Sequence, residues 1–282
     1  MVSQKQLKGP DVFARTFEAD EKSLSAIAAR LEARAKHCFF QQVVDEYVNA
    51  LKLNGHESVL DLGCGTGAIA RMIAKRDTFS GRVTAIDISR YLIETGKRLA
   101  SEEGLADRID FLTGDAHSII ELQGHYDVLI MHTLVSHVVD PATVLQEARR
   151  LLRPEGRIVV FDGDFDSLTY ATDAPDGGAG TDRLQALAGH TQGRVMRAMP
   201  RLLSDQGFSL EWSRAYVAAD IGRADFWSST LPALRILLPS AGVMSEREAS
   251  DYVDKLQRAS SSNTFFASCN FYTMIARRMH TG

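Results

Sequence analysis

Apolar residues between positions 20 and 52 recur at three- and four-residue intervals: Leu24, Ile27 and Leu31, then Phe40, Val43, Val44, Tyr47 and Leu51. That spacing places them on one face of a helix, so the segment predicts helices with a buried stripe. Beyond Glu57 the rhythm changes. Short β-rich runs (Ser58 to Leu60, Arg82 to Asp87, Tyr126 to Ile130, Arg157 to Phe161) alternate with helical stretches as far as Asp164. Such alternation predicts a parallel sheet with helices on both faces. Local signals mark the helix ends. Ser89 stands ready to cap a stretch carrying Leu92, Ile93 and Leu99 that stops at Gly104. Asp140-Pro141 opens another, which runs through Val144, Leu145, Ala148 and Leu152 to a stop at Arg153-Pro154.

After Asp164 the alternation fails. Residues 166 to 192 read as a loop around Ala174-Pro175-Asp176-Gly177-Gly178-Ala179-Gly180. A helix is expected near 194 to 206, interrupted or started at Pro200 and ended at Gly207, then a strand from Ser209 to Val217. Phe265 to Ala276 reads as the last strand. Between these two strands lie about 45 residues, too many for simple linkage. They hold two helical stretches, the second opened by a capping box, Ser245-x-x-Glu248. This insertion, about 222–264, is expected to form a lid or pocket wall that starts at Phe226-Trp227. Core packing or a homodimer contact are the other readings. The chain thus divides into an N-terminal helical cap, 1–54, and one domain, 55–282, with no internal repeat.

The chemistry concentrates in Val59-Leu60-Asp61-Leu62-Gly63-Cys64-Gly65-Thr66-Gly67-Ala68. A strand, a turn with glycine at alternate positions and a helix form the nucleotide-binding corner of an open α/β sheet. Gly63-x-Gly65-x-x-Ala68 satisfies the dinucleotide fingerprint in its G/A form, so a dehydrogenase has to be weighed. Asp61 argues against one, because a carboxylate two residues before the first glycine would repel a pyrophosphate. S-adenosylmethionine has no phosphate and carries a sulfonium and an ammonium, both favoured by negative charge. Asp87 ends the second β-rich run twenty residues after Gly67, where an acid accepts hydrogen bonds from ribose hydroxyls. A helix cap is its plainer reading.

With these residues in place the chain resembles the class I S-adenosylmethionine-dependent methyltransferases. Asp61 to Gly67 resembles the first motif of that family, and Ala85-Ile86-Asp87-Ile88-Ser89 the second. Thr113-Gly114-Asp115-Ala116 is similar to the segment that contacts adenine, Tyr126 to Ile130 to the fourth strand, and Leu151 to Arg157 to the turn into the fifth. Order and spacing agree from about residue 55 to 165. Glu155 stands where glycine is usual, and Thr95-Gly96 where small alanines are common. The resemblance implies a Rossmann-like α/β fold: a doubly wound, seven-stranded, mostly parallel sheet with one antiparallel C-terminal strand, N-terminal helices and a helical insertion. It implies S-adenosylmethionine held by Asp61, Gly63, Cys64, Gly65, Thr66, Gly67, Asp87, Ile88, Gly114, Asp115, Ala116 and His132. Arg34 and His37 of the N-terminal helices would reach the methionine carboxylate or the acceptor.

Methyl transfer demands in-line positioning and exclusion of water, with a base only if the acceptor must lose a proton. His137 and His132, at the exit of the fourth strand, are the candidate catalytic residues, with hydrogen bonding of the loop as the alternative role. Asp162 and Asp164 leave the fifth strand toward the same face. His37, Asp164, Tyr170, His190, Phe226 and Trp227 are expected around the acceptor, and the chain is most similar to the ubiquinone/menaquinone methyltransferase-like and natural-product tailoring subgroup.

Charge narrows the partners. The net charge of −4 and the absence of a basic block leave no electrostatic footprint for nucleic acid. Together with Met131-His132-Thr133-Leu134 after the fourth strand, this disfavours a macromolecular methyltransferase. Cys38, Cys64 and Cys269 are scattered, so neither a disulfide framework nor a metal site is expected. With no membrane-length apolar run, a cytoplasmic protein is expected, acting on a small, partly aromatic or polyketide-like acceptor. An enzyme that uses the same cofactor for cyclisation, decarboxylation or hydroxylation is the alternative.

Overall fold

A computed structural model describes residues 11, 13–14, 16, 19–120, 122–123, 125–188, 190–240, 242 and 244–280. Two helices come first, α1 (Glu21–Lys36) and α2 (Cys38–Leu51). Asp20 caps α1, its carboxylate accepting from the Ser23 N–H at 2.7 Å. His37 separates the two helices, its Nδ1 accepting from the Phe39 N–H at 3.2 Å. α2 buries Phe40, Val43, Val44, Tyr47 and Leu51, the face its periodicity predicts.

The sheet follows with β1 (Ser58–Leu62), α3 (Ala68–Ala74), β2 (Arg82–Asp87), α4 (Arg90–Glu102), β3 (Ile109–Thr113), β4 (Tyr126–His132), α5 (Pro141–Leu151) and β5 (Leu152–Tyr170). The chain continues with α6 (Ala179–Ala188), α7 (Val195–Asp205), β6 (Phe208–Gly222), a 3-10 turn at Phe226–Ser229, α8 (Leu231–Ser240), α9 (Glu246–Ser261) and β7 (Phe265–Arg278). The seven strands lie in the order β3-β2-β1-β4-β5-β7-β6. β1 to β5 are parallel, and β7 runs antiparallel to both of its neighbours. This is the Rossmann-like architecture of the class I methyltransferases.

Alternate residues of each strand feed two cores, one on each face. In β1, Val59 belongs to the core shared with α2 and α3, whereas Leu60 and Leu62 belong to the core shared with α5 and α7. The order reverses between β1 and β4, which opens a crevice beyond their carboxyl ends.

Three elements depart from expectation. β5 begins at Leu152, directly after α5, and takes in Pro154. It also runs on to Tyr170, because β7 reaches that far to pair with it (Thr169 with Ser268, Tyr170 with Ala267). The stretch read as a loop therefore contains the end of a strand and a helix, α6, at whose start Asp176 accepts from the N–H groups of Gly178 and Gly180. β6 likewise extends past Val217 to Gly222, matched residue by residue by Phe265 to Asn270 of β7. Local composition cannot show such lengthening, which comes from a partner distant in sequence. The capping box at Ser245 and Glu248 forms with both halves in place.

Candidate active site

β1 ends at Leu62 and the chain turns through Gly63, Cys64, Gly65 and Thr66 into α3. The Gly63 and Cys64 N–H groups both donate to the Ile86 carbonyl, at 2.8 and 2.9 Å, which ties the turn to the tip of β2. Gly63 has φ +72°, and a Cβ there would fall 2.6 Å from Leu134 Cδ1. Gly67, at φ +69°, starts α3, where a Cβ would meet the Phe111 ring at 2.4 Å. Neither position admits a side chain.

A buried carboxylate, Asp61, and a half-buried one, Asp87, face the turn. Asp87 accepts from the Gly65 N–H at 2.8 Å through Oδ2 and from the Ser89 N–H at 2.9 Å through Oδ1. Each oxygen keeps a lone pair for a further donor. Asp61 accepts from the Ala70 N–H at 3.2 Å. Burial pushes both carboxyls up, Asp61 to about 7, opposed by the Ala70 hydrogen bond and reinforced by the charge of Asp87. A cation placed nearby would restore full ionisation.

One cavity of about 180 Å³ opens at this point. Ile88, Gly114, Asp115 and Ala116 wall one end, and Gly63, Cys64, Gly65, Thr66 and Asp87 line its floor. Arg34, Phe40, His132, Thr133 and His137 close the far side. Asp61 and Gly67 lie just outside the lining and shape it from beneath. Asp115 is steadied by His117, whose ring Nδ1 is 2.8 Å away. Among the described residues no group of three or more His, Cys, Asp or Glu side chains is arranged to hold a metal ion.

The roof comes from the N-terminal helices and from Phe13, Ala14 and Thr16 before them. Glu32 of α1 accepts from Thr66 Oγ1 and from Arg71, both at 2.5 Å, so the helix is anchored to the glycine turn itself. Leu31 covers Gly65, and Arg34 donates to Thr133 Oγ1 at 2.6 Å while stacking over Phe40 at 4.7 Å. Burial and the neighbouring Arg30 push the Arg34 guanidinium down to about 10, with Asp162 opposing. Thr133 holds φ +56°, a costly conformation for a β-branched residue at the exit of a strand.

The histidines divide by environment. His132 is 8% exposed, its Nδ1 is 3.4 Å from the Tyr47 hydroxyl, and its ring packs against Phe161 with centroids 4.5 Å apart. Burial, then the charge of Arg34, holds it well below the ordinary histidine range, so it stays neutral. His137 instead meets a carboxylate. Its Nδ1 lies 2.9 and 3.1 Å from the two oxygens of Asp11. Asp11 also accepts from the Phe13 and Ala14 N–H groups and from both the N–H and hydroxyl of Thr191. Burial works to raise the Asp11 carboxyl, but His137 and these donors prevail and hold it at about 2. The ionised carboxylate fixes the His137 proton on Nδ1 and leaves Nε2 as the basic nitrogen.

The residues expected around the acceptor lie behind this cavity, and none of them lines it. Phe226 stacks on Phe40 with centroids 5.6 Å apart and sets its edge against Trp227. His37 caps α2 and packs against Phe226. Asp164 is paired with Arg197 at 2.8 Å, and Tyr170 is fully buried against Trp227 and Phe265. His190 stacks on Phe165 at 3.5 Å, 5.4 Å from the His137 ring. Sequence reading missed Asp11, Phe13, Thr16, Thr133 and Leu134. The first three belong to a stretch without periodicity; Thr133 is exceptional only in its backbone.

A family model described as "Methyltransferase domain" matches residues 53–208, more than half of the chain. The chain is 35% identical over 169 residues to an uncharacterized 37.1 kDa protein in transposon TN4556 of Streptomyces fradiae, covering 58% of this chain and 46% of that protein. It is 32% identical over 106 residues to the ubiquinone/menaquinone biosynthesis C-methyltransferase UbiE of Roseobacter denitrificans, covering 38% and 42%. The matches span less than half the length of these relatives. In fold, the chain is similar to the YcgJ protein from Bacillus subtilis, with a TM-score of 0.61 and 14% identity over 86% of this chain and all of that one. With the glycine turn, Asp87 and the β1/β4 crevice in their places, the chain belongs to the methyltransferase-domain family, the class I enzymes that use S-adenosylmethionine.

Proposed function

We propose that this protein transfers the methyl group of S-adenosylmethionine to a small, partly aromatic metabolite. One observation carries the reading: a single cavity runs from Ile88, Asp115 and Ala116 past the glycine turn and Asp87 to Arg34, His132 and His137. Its donors and acceptors suit the cofactor. Asp87 has lone pairs free for ribose hydroxyls, Ile88 and Ala116 offer apolar lining suited to an adenine, and Asp61 lends negative charge beneath the turn. Among the described residues Arg34 meets no carboxylate, and it suits that of the methionine moiety. When bound, S-adenosylmethionine supplies an electrophilic methyl group on a sulfonium.

The protein's own part is to position, exclude water and handle a proton. The roof of α1 and the Phe13 segment shields the cavity, and such orientation is worth roughly 7–11 kcal/mol. His137, oriented through Asp11, receives the acceptor's proton on Nε2; neutral, weakly basic His132 forms wall. The insertion between β6 and β7 is read as a lid whose Phe226 and Trp227 back the acceptor space.

The test is incubation of the purified protein with S-adenosylmethionine and candidate aromatic acceptors, with mass spectrometry of both products. S-adenosylhomocysteine and a methylated acceptor in equal amounts are expected. Acceptor conversion without S-adenosylhomocysteine would move the protein to the non-methylating class.

A further inference from the structure

Arg30 and Arg34 stand one turn apart on the inner face of α1, so their side chains are neighbours. Among the described residues no carboxylate lies within ion-pair distance of either. Arg34 has Thr133 and the Phe40 ring, and Arg30 has the Phe13 ring, 5.3 Å from its guanidinium. Two adjacent half-buried cations without counterions oppose folding, because each loses hydration and repels the other. Burial accordingly pushes both guanidiniums below their ordinary range. The methionine carboxylate of the cofactor accounts for one of them.

The second cation has company. The Tyr170 phenol is close enough to act electrostatically on Arg30, and its buried hydroxyl makes no hydrogen bond among the described residues. Trp227, edge-on to Tyr170 at 5.9 Å, has no acceptor for its buried indole N–H among the described residues. A buried donor without a partner costs stability, and an anionic oxygen ligand would satisfy both donors. Both aromatic residues connect to the cavity through Phe226 and Phe40, whose rings are stacked.

We propose that the acceptor is a carboxylic acid, whose carboxylate is received by Arg30 together with the Tyr170 hydroxyl and the Trp227 indole N–H, where α1, the end of β5 and the insertion meet. One cation and two neutral donors match a monoanion with two oxygens; a phosphate dianion would call for more positive charge. Gln185 Oε1 and Asp164 Oδ1 are buried acceptors without a donor among the described residues, and either suits a hydroxyl of the same ligand. This assignment rests on the methyl-transfer reading for the word acceptor, but the carboxylate subsite is testable without turnover.

The probes are benzoate and its neutral counterpart benzamide, titrated by calorimetry into protein saturated with S-adenosylhomocysteine, so that Arg34 is already engaged. Benzoate is expected to bind at least roughly tenfold more tightly than benzamide, and Arg30→Met to erase the difference while S-adenosylhomocysteine affinity stays unchanged. Arg30→Met should also leave the melting temperature of the ligand-free protein equal or higher, since an uncompensated cation has gone. Tyr170→Phe removes one hydroxyl without changing the packing, and should weaken benzoate severalfold at no loss of stability.

Equal binding of the two probes, or binding of neither, overturns the proposal. So does an Arg30→Met variant that melts lower and keeps its benzoate affinity, which would make Arg30 structural. Hydroxyl and indole groups satisfied by buried water alone would show as Tyr170→Phe leaving benzoate affinity intact, and that also overturns it. Failure of the methyl-transfer reading has a separate signature: no S-adenosylhomocysteine from any acceptor, whatever benzoate does.

Discussion

Around the tips of β1 and β2, polar side chains are committed to the main chain: Asp87 to Gly65 and Ser89, and Asp61 to Ala70. Around the end of β5 and the insertion, Asp164, Tyr170, Gln185 and Trp227 each keep a buried polar atom without a hydrogen bond among the described residues. The first region is a finished mould whose shape depends on backbone geometry. The second is finished only by what enters it, and it carries a cost of incomplete hydrogen bonding until then. Substitutions in the mould should therefore act on cofactor affinity, and those in the second region on acceptor affinity with neutral or favourable effects on stability.

The harshest way to break this contrast is Gly65→Val. Gly65 has φ +55°, and even a Cβ would stand 2.9 Å from Leu31 Cδ1. A β-branched side chain would both strain the turn and lift α1 from it, and cofactor binding is expected to fall below detection by calorimetry. Full activity in that variant would sink the whole site.

His137→Ala comes next. Turnover should drop by ~10²–10⁴ with cofactor affinity nearly intact. Asp11→Asn should cost less and reshape the pH profile of kcat, because the imidazole loses its fixed proton. If both variants instead loosen cofactor binding and leave kcat alone, the pair serves only to fasten Phe13, Ala14 and Thr16 over the cavity.

Asp87→Ala removes a charged acceptor from ribose hydroxyls, at about 1.5–3 kcal/mol of binding free energy. That loss corresponds to a weakening of between one and two orders of magnitude, readable by calorimetry. An unchanged affinity in a folded variant would take Asp87 out of the site.

Asp61 gives a smaller, pH-graded effect. Its carboxyl is raised to about 7 in the native protein, so between roughly pH 4 and 7 the native state holds a proton that the unfolded chain has lost. Stability of the ligand-free protein from this group should decline as pH rises through that window, and Asp61→Asn should flatten the decline in thermal melts. A bound cation favours the ionised form, so cofactor affinity should rise about tenfold from pH 6 to 8 with proton release. Asp11, held at about 2, works the other way: its contribution is complete above about pH 4 and is lost as pH falls toward 2. An affinity flat from pH 6 to 8 would remove Asp61 from the linkage.

The mould was legible because its constraints are local. Alternate glycines, Asp61 and Asp87 declare the turn and its acids in a few residues of sequence, and the core stripe of α2 declares itself by period. The second region was not, because its geometry is settled by distant partners. Tyr170 continues β5 only because β7 pairs with it, and Asp11 meets His137 across more than a hundred residues of chain. Phe226 and Trp227 were visible as aromatic residues; that they stand behind the cavity wall and not in it depends on Phe40, which no spacing rule links to them.

The place of β7 bears on how the molecule is assembled. This strand sits between β5 and β6, yet it follows both, and the entire insertion, in chain order. Until residues 265–278 leave the ribosome, β6 has nothing to pair with, and the outer edge of β5 lies open. β6 carries Val217 and Ile221 with 63% and 79% of their surfaces exposed even in the native sheet. A nascent chain paused within the insertion would thus present fifteen residues of unpaired, partly apolar strand, a template for edge-to-edge association. Translation speed across the insertion, and chaperone access during it, should govern the soluble yield of this protein more than substitutions in the glycine turn do.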